Sequence, residues 1–85
     1  MSILADTNIL LRRTQPDHPS HTYAVESVAK LLAAGEPVYF TLQNMAEFWN
    51  VATMNLNGVR RILTFNTEDF ARYDIEVIHP LSLVS

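Results

Sequence analysis

Three short β-prone runs set the frame for this chain. Ile3-Leu4-Ala5, Val38-Tyr39-Phe40 and Ile62-Leu63-Thr64-Phe65 are each bounded by polar or turn-forming residues, and the long segments between them place apolar residues at three-and-four spacing. Strand, helix, strand, helix, strand in alternation calls for right-handed crossovers and a parallel sheet with helices on its faces. The expected fold is α/β in three layers, with a small parallel sheet of about four strands and flanking helices. A fourth run, Ile75 to Ile78, is closed by Pro80. Its link to the third strand is about ten residues, near the lower limit for a parallel crossover.

The boundaries follow from local chemistry. The first strand spans Ile3 to Asp6 and leads into a polar loop, Asp6-Thr7-Asn8, before Ile9-Leu10-Leu11 and Arg12-Arg13. A helix starts near Pro19, where a missing N–H costs nothing, and carries Tyr23, Ala24, Val25, Val28, Leu31 and Leu32. Gly35 and Pro37 end it. A second helix places Met45, Phe48, Trp49 and Ala52 on one stripe and stops at Asn57-Gly58. Thr67 to Arg72 reads as a short turn or helical piece. With the second strand outside the first and the third and fourth on its other side, the strand order reverses between the first and third.

The chain has 85 residues and no cysteine, which gives one domain over residues 1–85 without a disulfide or a thiolate metal site. A domain of this size hides only about 60% of the surface its unfolded chain exposes. Stability must come from a metal, a partner subunit or dense packing. The net charge of −3 argues against avid, purely electrostatic binding to nucleic acid. The start of the sequence lacks the basic and apolar regions of a signal peptide, and no apolar run nears the roughly 20 residues of a membrane helix. A cytoplasmic, non-membrane protein is expected.

Ligands of open parallel sheets collect outside the carboxyl ends of the strands, at the reversal point. Here those ends are acidic. The first strand ends in Asp6, followed by Thr7 and Asn8; the second leads through Thr41 and Gln43 to Glu47; the third ends in Asn66, with Glu68 and Asp69 close behind. This order puts Asp6 beside Asn66 and Asp69, with Glu47 arriving from the flank. Clustered carboxylates repel unless a hard cation bridges them, and Mg²⁺ or Mn²⁺ suits oxygen ligands. Such a site is equipped for phosphodiester hydrolysis. Arg12, Arg13, Arg60 and Arg61 are expected to flank the cleft and hold phosphates.

Three motifs carry a family resemblance. Asp6-Thr7-Asn8-Ile9-Leu10-Leu11-Arg12, then Gln43-x-x-x-Glu47-Phe48-x-x-Val51-x-Thr53, then Gly58 through Phe70 (GVRRILTFNTEDF) resemble the PIN domain, in the flavour of the VapC-type toxins of bacterial toxin–antitoxin pairs. The resemblance runs in order along nearly the whole chain. It implies a Mg²⁺- or Mn²⁺-dependent endoribonuclease acting on RNA, a homodimer, and a small antitoxin protein that neutralises it. Position by position, Asp6 resembles the first metal-site acid and Glu47 the second, with Asn66 and Asp69 at the last acidic corner; Thr7 and Asn8 buttress the site.

One departure bears on activity. The family carries further helices and another catalytic Asp between the second and third motifs, whereas here no Asp or Glu lies between Glu47 and Glu68. The chain resembles a PIN domain with its middle segment absent. The resemblance then implies a weakened metal site or a non-catalytic remnant that serves protein binding or dimerisation. Plainer roles stand beside these: Asp6 and Asn8 as turn formers, Glu47 in a capping box with Asn44, Asn66 and Asp69 as turn and helix-cap residues. His18 and His21, near Asp17, lack further metal ligands at evident spacing.

Overall fold

The computed structural model describes residues 2–40 and 47–84, without the side chains of residues 47–49. In chain order the elements are β1 (Ile3–Ala5), α1 (Thr7–Arg13), α2 (His21–Ala33), β2 (Val38–Phe40), α3 (Glu47–Leu56), β3 (Arg61–Leu63), α4 (Thr67–Phe70) and β4 (Glu76–Ile78), followed by a 3₁₀ turn, Pro80–Ser82. The four strands form one sheet in the order β2-β1-β3-β4. Every pairing is parallel, with Ile3 opposite Val38, Ala5 opposite Phe40 and Leu63, and Leu63 opposite Ile78. The expected α/β class and strand order are both present, the short crossover to β4 included.

Alternation along the strands divides the core into two clusters. Ile3, Ala5 and Leu63 face one side, where Ile9 of α1 and Ala24, Val28 and Leu31 of α2 cover them. Leu4 and Ile62 face the other, beneath Val51 and Met54 of α3, Val59, and Phe70 of α4. Successive strand residues point to opposite faces, so β1, β3 and β4 feed both clusters, whereas the edge strand β2 packs Val38 and Phe40 on the first and leaves Tyr39 exposed. The chain moves outward from β1 to β2 on one side of the sheet and back past β1 to β3 on the other. Crossovers of one hand in opposite directions require helices on opposite faces.

The first strand is shorter than the sequence suggests. It stops at Ala5, because the Asp6 carboxylate accepts the Thr7 backbone N–H at 2.7 Å and turns the chain directly into α1. The stretch expected as a polar loop is therefore a seven-residue helix whose single buried residue is Ile9. α2 begins at His21, two residues after Pro19, once His18 Nδ1 has accepted the Ser20 N–H at 3.0 Å. Tyr23, Val25 and Leu32 lie on its exposed side. The expected helical positions before Glu47, Met45 among them, fall outside the described residues. Gly58, with φ of +68°, makes the sharp exit from α3, a conformation costly for any residue with a Cβ.

Ile62 is fully buried beneath the α3–α4 layer. Truncation of Ile62 to alanine is expected to cost about 2–5 kcal/mol. A domain of this length holds only about 4–13 kcal/mol in total. Urea denaturation should show the midpoint falling sharply; a loss below about 0.5 kcal/mol would contradict the packing described here.

Candidate functional site

β1 and β3 lie side by side, and their next residues beyond the strands are Asp6 and Thr64. Ladder bonds continue past the strand ends: Asp6 N–H donates to Leu63 O at 2.9 Å and Thr64 N–H to Ile78 O at 3.0 Å. These bonds fix both residues at the carboxyl edge, where the strand order reverses. Thr64 Oγ1 donates to Asp6 Oδ2 at 2.9 Å and ties the two strands together through their side chains.

Around this contact sits a small polar network. Asp6 Oδ1 accepts the Thr7 N–H at 2.7 Å and the Asn50 Nδ2 amide at 3.3 Å, the latter reaching in from α3. Thr64 Oγ1 in turn accepts from Asn8 Nδ2 at 3.2 Å and from the Asn66 backbone N–H at 3.0 Å. Asn8 Oδ1 meets the Phe65 N–H at 3.5 Å. Asp6 is 8% exposed, Asn50 1% and Thr64 fully buried. A buried carboxylate survives only when donors replace its lost water, and hydrogen bonds to charged groups contribute about 1.5–3 kcal/mol each. Asp6 has such donors on both oxygens.

The other expected site residues are distributed unevenly. Thr7 and Asn8 join the network as described, Thr7 through its backbone. Asn66 contributes its backbone N–H and stands before α4 without a side-chain capping bond. Asp69 is exposed and lines an open recess of about 270 Å³ with Phe65, Asn66, Thr67, Glu68 and His79. Glu47 opens α3, but its side chain lies outside the described residues. Arg13 remains at the carboxyl edge, its guanidinium 5.3 Å from the centre of the Phe40 ring. Arg12 donates to Gln15 Oε1 at 2.8 Å.

Arg60 and Arg61 do not flank this cleft. Parallel strands share one polarity, so the entrance to β3 is at the opposite, amino end of the sheet. There Arg60 pairs with Asp74 at 3.0 Å, and Arg61 pairs with Glu36 and lies 3.9 Å from Glu76. The histidines near α2 also have structural roles: His18 Nδ1 takes the Ser20 N–H, and His21 Nδ1 lies 2.9 Å from Arg12 O.

Asn50, Thr64 and His79 were not among the expected site residues. Asn50 interrupts the apolar run Phe48-Trp49-Asn50-Val51, and a lone polar residue there is a signal of a buried partner. Thr64 sits inside a β-prone run, and only the register of β3 against β1 shows that it faces Asp6. His79 packs edge-on against Phe65, with centroids 5.5 Å apart, and its Nδ1 accepts the Leu81 N–H at 3.0 Å. The neutral ring therefore carries its proton on Nε2.

As arranged, the described residues leave a divalent cation little open room on the Asp6 carboxylate. Three donors occupy three of the roughly four acceptor positions on the Asp6 carboxylate. Among the described residues no group of three or more His, Cys, Asp or Glu is placed to hold a metal ion. No family model, no curated protein and no solved structure matches the chain. Among the described residues no helix is long and apolar enough to cross a membrane.

The Thr64 hydroxyl joins Asp6, Asn8 and the Asn66 backbone, so its loss should be felt well beyond one bond. Thr64→Val, which keeps the shape and removes the hydroxyl, is expected to destabilise the fold by about 2–3 kcal/mol in denaturant titrations. Thr64→Ser should retain most of that stability. A stable Thr64→Val beside a destabilised Thr64→Ser would mean that the methyl group, not the hydrogen bonding, holds this position.

Proposed function

We propose that the chain is a PIN-like domain related in kind to the VapC-type Mg²⁺- or Mn²⁺-dependent endoribonucleases, with a weakened or lost capacity for RNA cleavage. The observation that carries this reading is the location of Asp6: a buried acid at the carboxyl end of β1, at the strand-order reversal, held by Thr64 from β3 and Asn50 from α3. An acid in that position is where an open α/β sheet presents its chemistry. Glu47 stands three residues before Asn50 in the sequence, the spacing of neighbours on one helix flank. Arg13, at the same edge, offers a cation for an RNA phosphate.

The missing acid between Glu47 and Glu68 and the donor-filled carboxylate of Asp6 both favour weak activity over strong. Cleavage of a mixed RNA substrate is expected to be slow, to require added Mn²⁺ or Mg²⁺ and to disappear in Asp6→Asn. Cleavage that persists in Asp6→Asn at the wild-type rate would overturn the ribonuclease reading.

A second reading, a non-catalytic module for protein binding or dimerisation, is favoured by a different observation. An apolar cavity of about 350 Å³ lies between α3 and the β1–β2 edge, lined by Leu4, Tyr39, Phe40, Met54 and Val59 among others. Tyr39 is 55% exposed there. Apolar surface of this kind marks interaction sites, and a second copy of the chain or a small antitoxin would fill it. Light scattering is expected to give a dimer that Tyr39→Glu converts to a monomer. A clean wild-type monomer at high concentration would remove the dimer from this reading.

A further inference from the structure

Asn50 has a role at Asp6 that follows from where its amide lies. The Nδ2 group must face the carboxylate, since the amide oxygen in that place would be repelled by Oδ1. Its N–H sets partial positive charge against an oxygen that is out of water, at 3.3 Å and with Asn50 itself 1% exposed. The amide reaches Oδ1 from α3 and fills the side of the carboxylate that faces that helix.

We propose that the Asn50 amide stands in for a divalent cation on the α3 side of Asp6, so that the Asn50–Asp6 contact and cation binding at Oδ1 exclude each other. The inference rests on the reading of Asp6 as a metal-site acid. Asn50 is then a positioning residue that keeps a buried carboxylate compensated without metal, at the expense of metal affinity. An oxygen lobe that accepts an amide hydrogen cannot also meet Mg²⁺ at the 2.0–2.1 Å that ion demands, roughly speaking. Without the amide the buried carboxylate would keep, among the described residues, only the Thr7 N–H and the Thr64 hydroxyl as donors.

Replacement of the amide tests this directly. Asn50→Asp removes the competing donor and sets two carboxylates at hydrogen-bonding distance, which near neutral pH is unfavourable until a cation bridges them. Asn50→Leu removes the donor without adding charge. The full chain and both variants are titrated with Mn²⁺ alone, bound metal being read from the loss of the free-ion paramagnetic resonance signal and stability from the thermal midpoint. Asn50→Asp is expected to bind Mn²⁺ roughly tenfold or more tightly than the unaltered chain. Its midpoint, depressed without metal, should rise on addition of Mn²⁺, because a ligand of the folded form alone stabilises it. Asp6→Asn in the same background should abolish both effects. If Asn50→Asp fails to fold at any metal concentration, Asn50→Leu decides: tighter binding than the unaltered chain supports the exchange, and unchanged or absent binding overturns it. A folded Asn50→Asp without a gain in affinity, or a gain that survives Asp6→Asn, also overturns it. An unaltered chain that binds no Mn²⁺ and cleaves no RNA counts against the ribonuclease reading, whereas the exchange at Asn50 stands or falls on the variants.

Discussion

The Asp6–Thr64 contact is the point on which the carboxyl end of this domain turns. Two parallel strands that are sequence-distant can be held in register by their ladder, but three-residue strands offer few ladder bonds. The side-chain bond between Asp6 and Thr64 adds a tie beyond the last of these. It also decides the local chain path. The same carboxylate that accepts from Thr64 accepts the first N–H of α1, so the end of β1, the start of α1 and the end of β3 share one buried charge. Asn50 brings α3 into the same arrangement.

This economy explains how a chain of 85 residues without disulfides can support two apolar layers. The inner strands contribute to both faces, and one helix on each face, α1 and α3, is anchored at the same polar centre. The centre is costly in isolation, because burying a carboxylate is unfavourable, and it is tolerated because neutral donors surround it. A donor shell of that kind rigidifies a site and also competes with any ion that would use the same oxygens. Structural economy and metal chemistry therefore draw on one set of lone pairs.

Much of the architecture is legible in the residues. Val38-Tyr39-Phe40 and Ile62-Leu63 read as short β-prone runs, and the helical spacing between them calls for parallel pairing; Ile62-Leu63 is buried, whereas the edge strand β2 leaves Tyr39 exposed. Asp6 stands out as an acid that closes such a strand. α1 is not legible, because seven residues with one buried position leave no periodicity to detect. Thr64 and Asn50 are missed for a shared reason: each is polar inside an apolar run, and only the three-dimensional register reveals the partner that makes the polarity useful. Arg60 and Arg61 show the converse. Their proximity in sequence to Asn66 and Asp69 suggests a common cleft, yet a strand separates the two ends, and the arginines pair with Asp74, Glu36 and Glu76 on the far side.

The turn at Asn57-Gly58 belongs to that far side as well. α3 descends from the edge that holds Asp6, and the chain re-enters β3 only after Gly58, beside Ser2 and Val59 at the amino pole. The exposed Asn57-Gly58 turn precedes the buried Val59, so chain can be inserted there without entering the register of β1 against β3. The fold can thus vary in length at one pole while the other keeps its polar centre intact. Surface connections tolerate such change far better than strand ends do.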